Sequence, residues 1–429
     1  MIRISDRLRA MNRTMLAVFA SLMLAPLAAL AQLPDGIQSD LGPAVPNMKV
    51  RPGYRVTWAI PPKNVKGLRD ARFLQFSGDG KTLYLSQRRD GSILAFRNPD
   101  ADGVYQDVTT FVKDKKTAQG MHFYDGWLYY QVPAEGSLYK ASDPEGDGVA
   151  NEVIEVLPPG TLPKPGGHPY NAVLVTGKEI YVSASDPKNM TEELESDTKK
   201  IYVFDMDGKN KRVFAGGVRN NEKLRFRPGT TEIWGFDNGS DHFGKSFGDE
   251  PAKNQPITDL IPPEEFNHYV QDGFYGHPYL VGPRIPRPEF KDRPDLIDLA
   301  NKTTPPALNL PAHWACLGFT FIEKDHLGAD HVGDVLVAAH GSWNSLKPVG
   351  ACVERVFFDK LTGRPYGHHT IIDGFNVGSN GENARRWVRP VDLVEAPDGS
   401  ILFTSDDPIS GIFRISKSKQ PVADAAAQR

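Results

Sequence analysis

The chain has little of what builds a metal cluster, a thiol scaffold or a membrane anchor. Cysteine occurs twice in 429 residues, which excludes zinc ribbons, iron–sulfur clusters and a disulfide framework. No C-x-x-C-H occurs, so the chain carries no covalent c-type haem of its own. The basic excess that non-specific nucleic-acid binding needs is missing too, since the net charge is −3. Long apolar runs are confined to the N-terminus. There Arg3, Arg7, Arg9 and Arg13 precede an apolar run from Met15 to Leu30 that ends on Ala29-Leu30-Ala31. A basic region, an apolar region and a small-x-small site make a secretory signal over residues 1–31. The run contains Pro26 and falls short of the ~20 residues a spanning helix needs, so a membrane anchor is the weaker reading. The mature protein is therefore expected to be soluble, and periplasmic or secreted.

Glycine and proline are plentiful, at 40 and 35 residues, and imply many turns between short strands. The strands follow one theme. An apolar strand leads to a Gly-containing turn and then to a β-branched or aromatic strand. Copies begin at Phe73, Met121, Ala172, Lys223, Gly318 and Asp392. A third strand signal follows most of them, as in Ser92–Phe96, Ile201–Phe204 and Gly411–Ile415. Sheets repeated at ~40–50 residues mark a propeller, and six copies imply six blades. A sandwich or barrel with similar hairpins is the alternative. The expected fold is thus all-β, a six-bladed β-propeller over residues 56–417, with a lead-in at 32–55 and a tail at 418–429. Residues 240–312 have no clear strand period. They are expected to form a long irregular insertion between the fourth and fifth repeats, capping one mouth.

Walking the chain for chemistry, His326 and His331, and the adjacent His368 and His369, lack zinc spacing. The loops at 98–103 and 143–148 begin like calcium loops but lack the bidentate Glu, so either calcium binding or plain Asx turns fit them. Four segments at repeat edges carry polar residues that no strand requires: Gly166–Asn171, Gly216–Asn220 with Asp237–Asp241, His340–Lys347, and Arg386–Pro390. Strand edges on one propeller face surround the axial mouth, so these segments can converge. A pocket with Arg219, Lys347 and Arg389 would take a polyanion, and His168 would be its natural base.

These residues, in this order, resemble the quinoprotein aldose dehydrogenases, the family of soluble glucose and L-sorbosone dehydrogenases, over roughly residues 50–417. The most specific stretches are Val218-Arg219-Asn220 with Ile233–Gly239, and Ala339–Asn344 with Lys347–Gly350; the latter looks most like the sorbosone branch. The resemblance implies a six-bladed propeller holding pyrroloquinoline quinone (PQQ) and Ca2+. It implies that His168 is the base and that Arg219 and Asn220 contact the quinone. Gly239 and Ser240 would offer backbone carbonyls to calcium, and Lys347 and Arg389 would pair with PQQ carboxylates. Two departures stand out. Pro169-Tyr170-Asn171 follows the histidine where the family usually has Arg, and Asn221-Glu222 follows the Arg-Asn pair where a small or proline-containing turn is common.

The substrate implied is a small sugar or aldehyde, and re-oxidation implies an external electron acceptor such as a periplasmic cytochrome or quinone. Two other classes remain open: a calcium-dependent lactonase-like propeller using Asp237, Asn238 and Asp241, and a non-catalytic binding propeller. Finally, Cys316 opens the fifth repeat and Cys352 follows its second strand. In an oxidising compartment the two are candidates for a disulfide, with two buried thiols as the alternative.

Overall fold

Several repeats have a second strand that is buried along its whole length: Leu83–Gln87, Ile233–Asp237, Val335–Ala339 and Ile401–Ser405. Only a sheet covered on both faces explains such runs. A computed structural model shows how they are covered. It describes residues 48–418 except 62–67, 69, 88–90, 114, 116–117, 165, 194 and 245–256. The signal segment, the first part of the lead-in and the tail beyond 418 lie outside the described residues.

The chain forms a six-bladed β-propeller. Blade one runs through Ala71–Phe76, Leu83–Gln87, Ile93–Pro99 and Tyr105–Val112, and blade two through Gln119–Tyr124 to Glu152–Leu157. Blade three begins at Val173–Val175, blade four at Leu224–Phe226, blade five at Cys316–Phe321 and blade six at Pro390–Glu395. Every blade is antiparallel between successive strands, as short hairpin connections dictate. The ring closes through the N-terminus. Tyr54–Ile60 pairs with Gly411–Lys417 as the outer strand of blade six, with Tyr54 opposite Lys417. The lead-in is therefore partly strand: Lys49–Val50 also pairs with the end of Pro365–Asp373 in blade five.

Packing follows the ring. Six apolar clusters form, one at each interface between neighbouring blades. Phe73 and Met121 lie between blades one and two, and Phe236, Phe266 and Phe319 between blades four and five. In the latter, Phe236 and Phe266 stack with centroids 4.3 Å apart. A seventh cluster, Tyr279, Leu280, Phe290 and Leu299, sits in the segment after blade four's second strand.

That segment is less irregular than its sequence implies. Glu264–Tyr269 and Leu308–Leu310 are the third and fourth strands of blade four, and Gly273–Phe274 joins blade three in parallel. Glu264–Tyr269 reads EEFNHY and is almost wholly buried, so its polar residues sit inside and erase the alternation expected of a strand. The two acidic loops are Asx turns. Asp100 accepts the N–H groups of Asp102 and Val104, both at 2.9 Å, and Asp143 accepts those of Gly146 at 2.7 Å and Gly148 at 2.8 Å.

Across the centre, Arg72 of blade one donates to Glu222 at the start of blade four (2.8 Å) and to Asp406 of blade six (3.1 Å). Blades one and four are opposed, so they can touch only across the axis. Tyr170 stacks on the same guanidinium at 4.4 Å, and His340 Nε2 meets Asp406 at 2.8 Å. Beside this set, Lys223 pairs with Asp392 at 2.8 Å. Arg72 is 3% exposed. Removing it would leave two buried carboxylates without their cation, so Arg72→Met is expected to lose about 3–5 kcal/mol. Chemical denaturation of purified protein measures this, and an unchanged midpoint contradicts it.

The cysteine pairing is not formed. Cys316 and Cys352 both face Ala339, one from each side, because Val335–Ala339 runs between their strands. The loop after Ala339 brings Cys352 into the third strand of the blade rather than alongside the first. Two strand spacings separate them by ~10 Å, beyond the ~4.4–6.8 Å a disulfide spans. Both are buried free thiols. Thiol titration in denaturant without reductant is expected to find two per chain.

Candidate functional site

A cleft lies at the ends of blades three to five. Its lining includes His168, Arg219, Asn220, Asn238, Gly239, Glu264 and the backbone turn Gly341–Asn344. It encloses about 520 Å³ of space open to solvent. Four of the seven residues singled out from the sequence converge here: His168, Arg219, Asn220 and Gly239.

The histidine is oriented by the backbone. His168 Nδ1 lies 2.7 Å from the Asp186 carbonyl, which can only accept, so Nδ1 carries the proton. Nε2 therefore holds a lone pair, and Arg219 Nη2 donates to it at 3.2 Å. Asp186 is fixed in turn: its carboxylate accepts His277 Nε2 at 2.8 Å and the Thr191 N–H at 2.8 Å. Burial, reinforced by the Arg219 charge, pushes the His168 pKa down to about 4.

The Arg219-Asn220 pair is clamped by one carboxylate. Asp237 accepts the N–H of Arg219 at 2.8 Å and of Asn220 at 2.6 Å. Burial raises the Asp237 pKa to about 6 against those bonds. The partners of the Arg219 guanidinium are neutral: Asn189 O at 2.8 Å, Asn189 Oδ1 at 2.9 Å, Asn238 O at 3.0 Å and His168. Across the cleft, Arg386 donates to the Ser342 carbonyl and hydroxyl, also neutral, and burial with the nearby Arg389 lowers its pKa to about 10. Arg389 stands behind the same turn, donating to His340 O and Gly341 O at 3.0 Å each. Arg219 and Arg386 thus stand at the cleft on uncharged hydrogen-bond partners, a field that suits an anion.

The opposite wall is rich in oxygen. Glu264 accepts the Gly239 N–H at 3.1 Å and the Ala315 N–H at 3.0 Å, and burial raises its pKa to about 7. Gly239 is required sterically, since a Cβ there would meet the Pro263 carbonyl at 2.8 Å. Ser240 lies one step behind the lining, its hydroxyl accepting Arg287 Nη1 at 2.6 Å. Lys347 is exposed and outside the lining, on the loop that follows Asn344.

Sequence reasoning missed Glu264, Asp186, His277 and His313. Glu264 begins a strand hidden in the segment taken as irregular. Asp186 acts mainly through a backbone carbonyl, which leaves no trace in residue type. Two further patterns overlap the site: Gly239 to Ser246 spells G-x-x-x-x-G-K-S, and Gly244 to Gly248 spells G-x-S-x-G. The phosphate loop and the nucleophile elbow join a strand of a mostly parallel sheet to a helix. Here the preceding strand, Ile233–Asp237, is antiparallel to both neighbours, and residues 245–256 lie outside the described residues.

Comparison with known proteins agrees with this fold. A family described as TrAA12-like matches residues 293–418. An uncharacterized protein of Borreliella burgdorferi is 30% identical over 220 residues, 51% of this chain and 52% of its own length, so the chain spans about half of that relative. Among solved structures, the Trichoderma reesei carbohydrate-active enzyme of family AA12 superposes with TM-score 0.72 at 18% identity, covering 90% of this chain and 100% of that one. The holo PQQ domain of pyranose dehydrogenase from Coprinopsis cinerea gives TM-score 0.69 at 19% identity over 88% and 99% of the two chains. At such identities the likeness establishes the propeller.

The electrostatics of His168 can be checked directly. In ligand-free protein its imidazole is expected to stay neutral down to about pH 4 and to titrate at higher pH in Arg219→Gln. Histidine-selective NMR reads this; titration near the ordinary 6.5 in wild type would refute the burial argument.

Proposed function

We propose that this chain is a quinoprotein oxidoreductase that oxidises an aldose or related sugar aldehyde, with PQQ as the hydride acceptor and an external acceptor for the electrons. The observation that carries it is the neutral, oriented imidazole of His168 beside an arginine whose partners are uncharged. A base and an anion site share one cleft. The likeness to a holo PQQ domain, and to the Trichoderma enzyme also known in a calcium structure (TM-score 0.70), supports the choice of cofactors.

The residues present fit both groups. PQQ carries three carboxylates, and Arg219 and Arg389, joined by Arg386, supply positive charge whose desolvation an anion would offset. Asn220 lies beside Arg219 in the same lining. Lys347 is assigned to the same anion from the adjoining loop. Calcium, a hard cation, suits the oxygen-rich wall around Gly239 and Ser240. When bound, PQQ supplies the two-electron acceptor and calcium the Lewis acid that polarises it.

The chain's own residues handle the proton. His168 Nε2 takes it from the anomeric hydroxyl, while the Asp186 carbonyl keeps Nδ1 protonated and the ring in place. Arg219 must leave Nε2 for this to happen, so the base is freed when Arg219 turns to an anion. The lactonase reading is weaker, because Asp237 lies outside the cleft lining that Asn238 and Asp241 share. Export to the periplasm or medium follows from the signal segment and belongs to this proposal.

Titration of purified protein with PQQ and calcium, followed by dye reduction on a panel of aldoses and aldehydes, tests the reading. His168→Gln is expected to bind PQQ normally and lose about 10²–10⁴-fold in turnover. Arg389→Ala and Lys347→Ala should each weaken PQQ binding by about 1.5–3 kcal/mol. Absence of PQQ binding in wild type, or normal turnover in His168→Gln, would overturn it.

A further inference from the structure

Two amide oxygens in the cleft have no partner. Asn238 and Asn344 both line it, at 5% and 4% exposure, and their Oδ1 atoms make no hydrogen bond. Their orientation is not ambiguous. Asn238 Nδ2 donates to the Asn220 carbonyl at 3.3 Å and Asn344 Nδ2 to the Asp241 carbonyl, so each oxygen is the atom left over. A buried acceptor is rarely left unmet without a reason.

Glu264 belongs with them. Its carboxylate holds the Gly239 N–H, Asn238 precedes that glycine, and Asn344 is tied to Asp241 two residues on. One turn, 238–241, therefore frames all three oxygen-bearing side chains. Two more carboxyl groups stand beside it: Asp237 and Glu265 are buried opposite each other on paired strands, and Glu264 adjoins Glu265. Among the described residues no three His, Cys, Asp or Glu side chains converge as a metal centre, so a soft or borderline metal has no nitrogen–sulfur set here. One carboxylate and two carboxamide oxygens are instead the donors a hard cation takes, and six to eight oxygens around calcium leave room for water or ligand.

We propose that Glu264, Asn238 and Asn344 hold a divalent cation of the calcium type through their side-chain oxygens, and that they do so before any organic cofactor binds. The inference rests on the proposed function for the identity of the cation. It goes beyond it in the atoms, since the earlier assignment was to backbone carbonyls of Gly239 and Ser240.

Trp343 lines the same cleft next to Asn344, so its indole can sensitise a bound lanthanide. Terbium is titrated into the full-length protein stripped of metal and quinone, exciting tryptophan and reading terbium emission, with calcium as competitor. Saturable emission displaced by calcium is expected in wild type. Glu264→Gln and Asn344→Leu should each raise the terbium concentration at half-saturation at least tenfold, with unchanged circular dichroism. Should Glu264→Gln fail to fold, Asn344→Leu carries the test alone. No saturable emission in wild type, or wild-type affinity in the folded variants, overturns the proposal. PQQ binding, followed by its absorbance on the same samples, separates the two readings. Lost terbium affinity in the variants without PQQ binding in wild type keeps the cation site and removes the quinoprotein. PQQ binding with terbium affinity unaffected by the variants does the reverse.

Discussion

The guanidinium of Arg72 is the contact on which the centre of the propeller depends. Blades pack on their neighbours through six apolar clusters, but those clusters say nothing about blades that face each other across the axis. Arg72 spans that gap to Glu222 and Asp406 and is covered by Tyr170. A buried ion pair gains little over an apolar filling, yet breaking one side of it is costly. The contact therefore fixes which groups must face one another. Both departures from the quinoprotein pattern that the sequence resembles meet it. Tyr170 and Glu222 lie far apart in sequence, one after the histidine and one after the Arg-Asn pair, and both meet Arg72. They are a coupled set, and Asn220 joins it through Asn220 Nδ2 to Glu222 at 3.5 Å.

The fold was legible because each blade repeats the same buried hairpin. Turn glycines and apolar runs mark the first two strands of every copy. What was hidden follows from tertiary context. Glu264–Tyr269 is a strand with polar residues inside, since Glu264 and Glu265 serve backbone N–H groups of Gly239, Ala315 and Gly282. Hydrophobic period cannot find a strand whose buried groups are carboxyls. The cysteine pairing failed for a related reason. Sequence order placed Cys352 after the second strand but could not say that the next strand brings it back two places from Cys316.

The site was legible where a side chain itself faces the cleft, as with His168 and Arg219. It was not legible where the backbone does the work. The Asp186 carbonyl orients the His168 imidazole, and Asp237 secures the Arg-Asn pair by capping N–H groups rather than by reaching a ligand. Ser240 was read through its backbone carbonyl; its hydroxyl, the part that residue type names, is bonded to Arg287 and to the His242 carbonyl.

These parts combine into one electrostatic argument. Arg219 acts on His168 twice. Its charge, added to burial, holds the imidazole pKa near 4, and its Nη2 proton covers the Nε2 lone pair. Alone, His168 is neutral but weak and blocked. An anion placed against Arg219 reverses both effects, because it offsets the positive potential and offers the guanidinium a better acceptor than an imidazole nitrogen. The sign is fixed: removing positive potential raises the pKa of a group whose charged form is cationic. Basicity then moves toward the working pH, where a general base is most effective. If His168 is the base, as proposed, an arginine with uncharged partners placed on its Nε2 links anion binding to readiness for proton transfer without any change of fold.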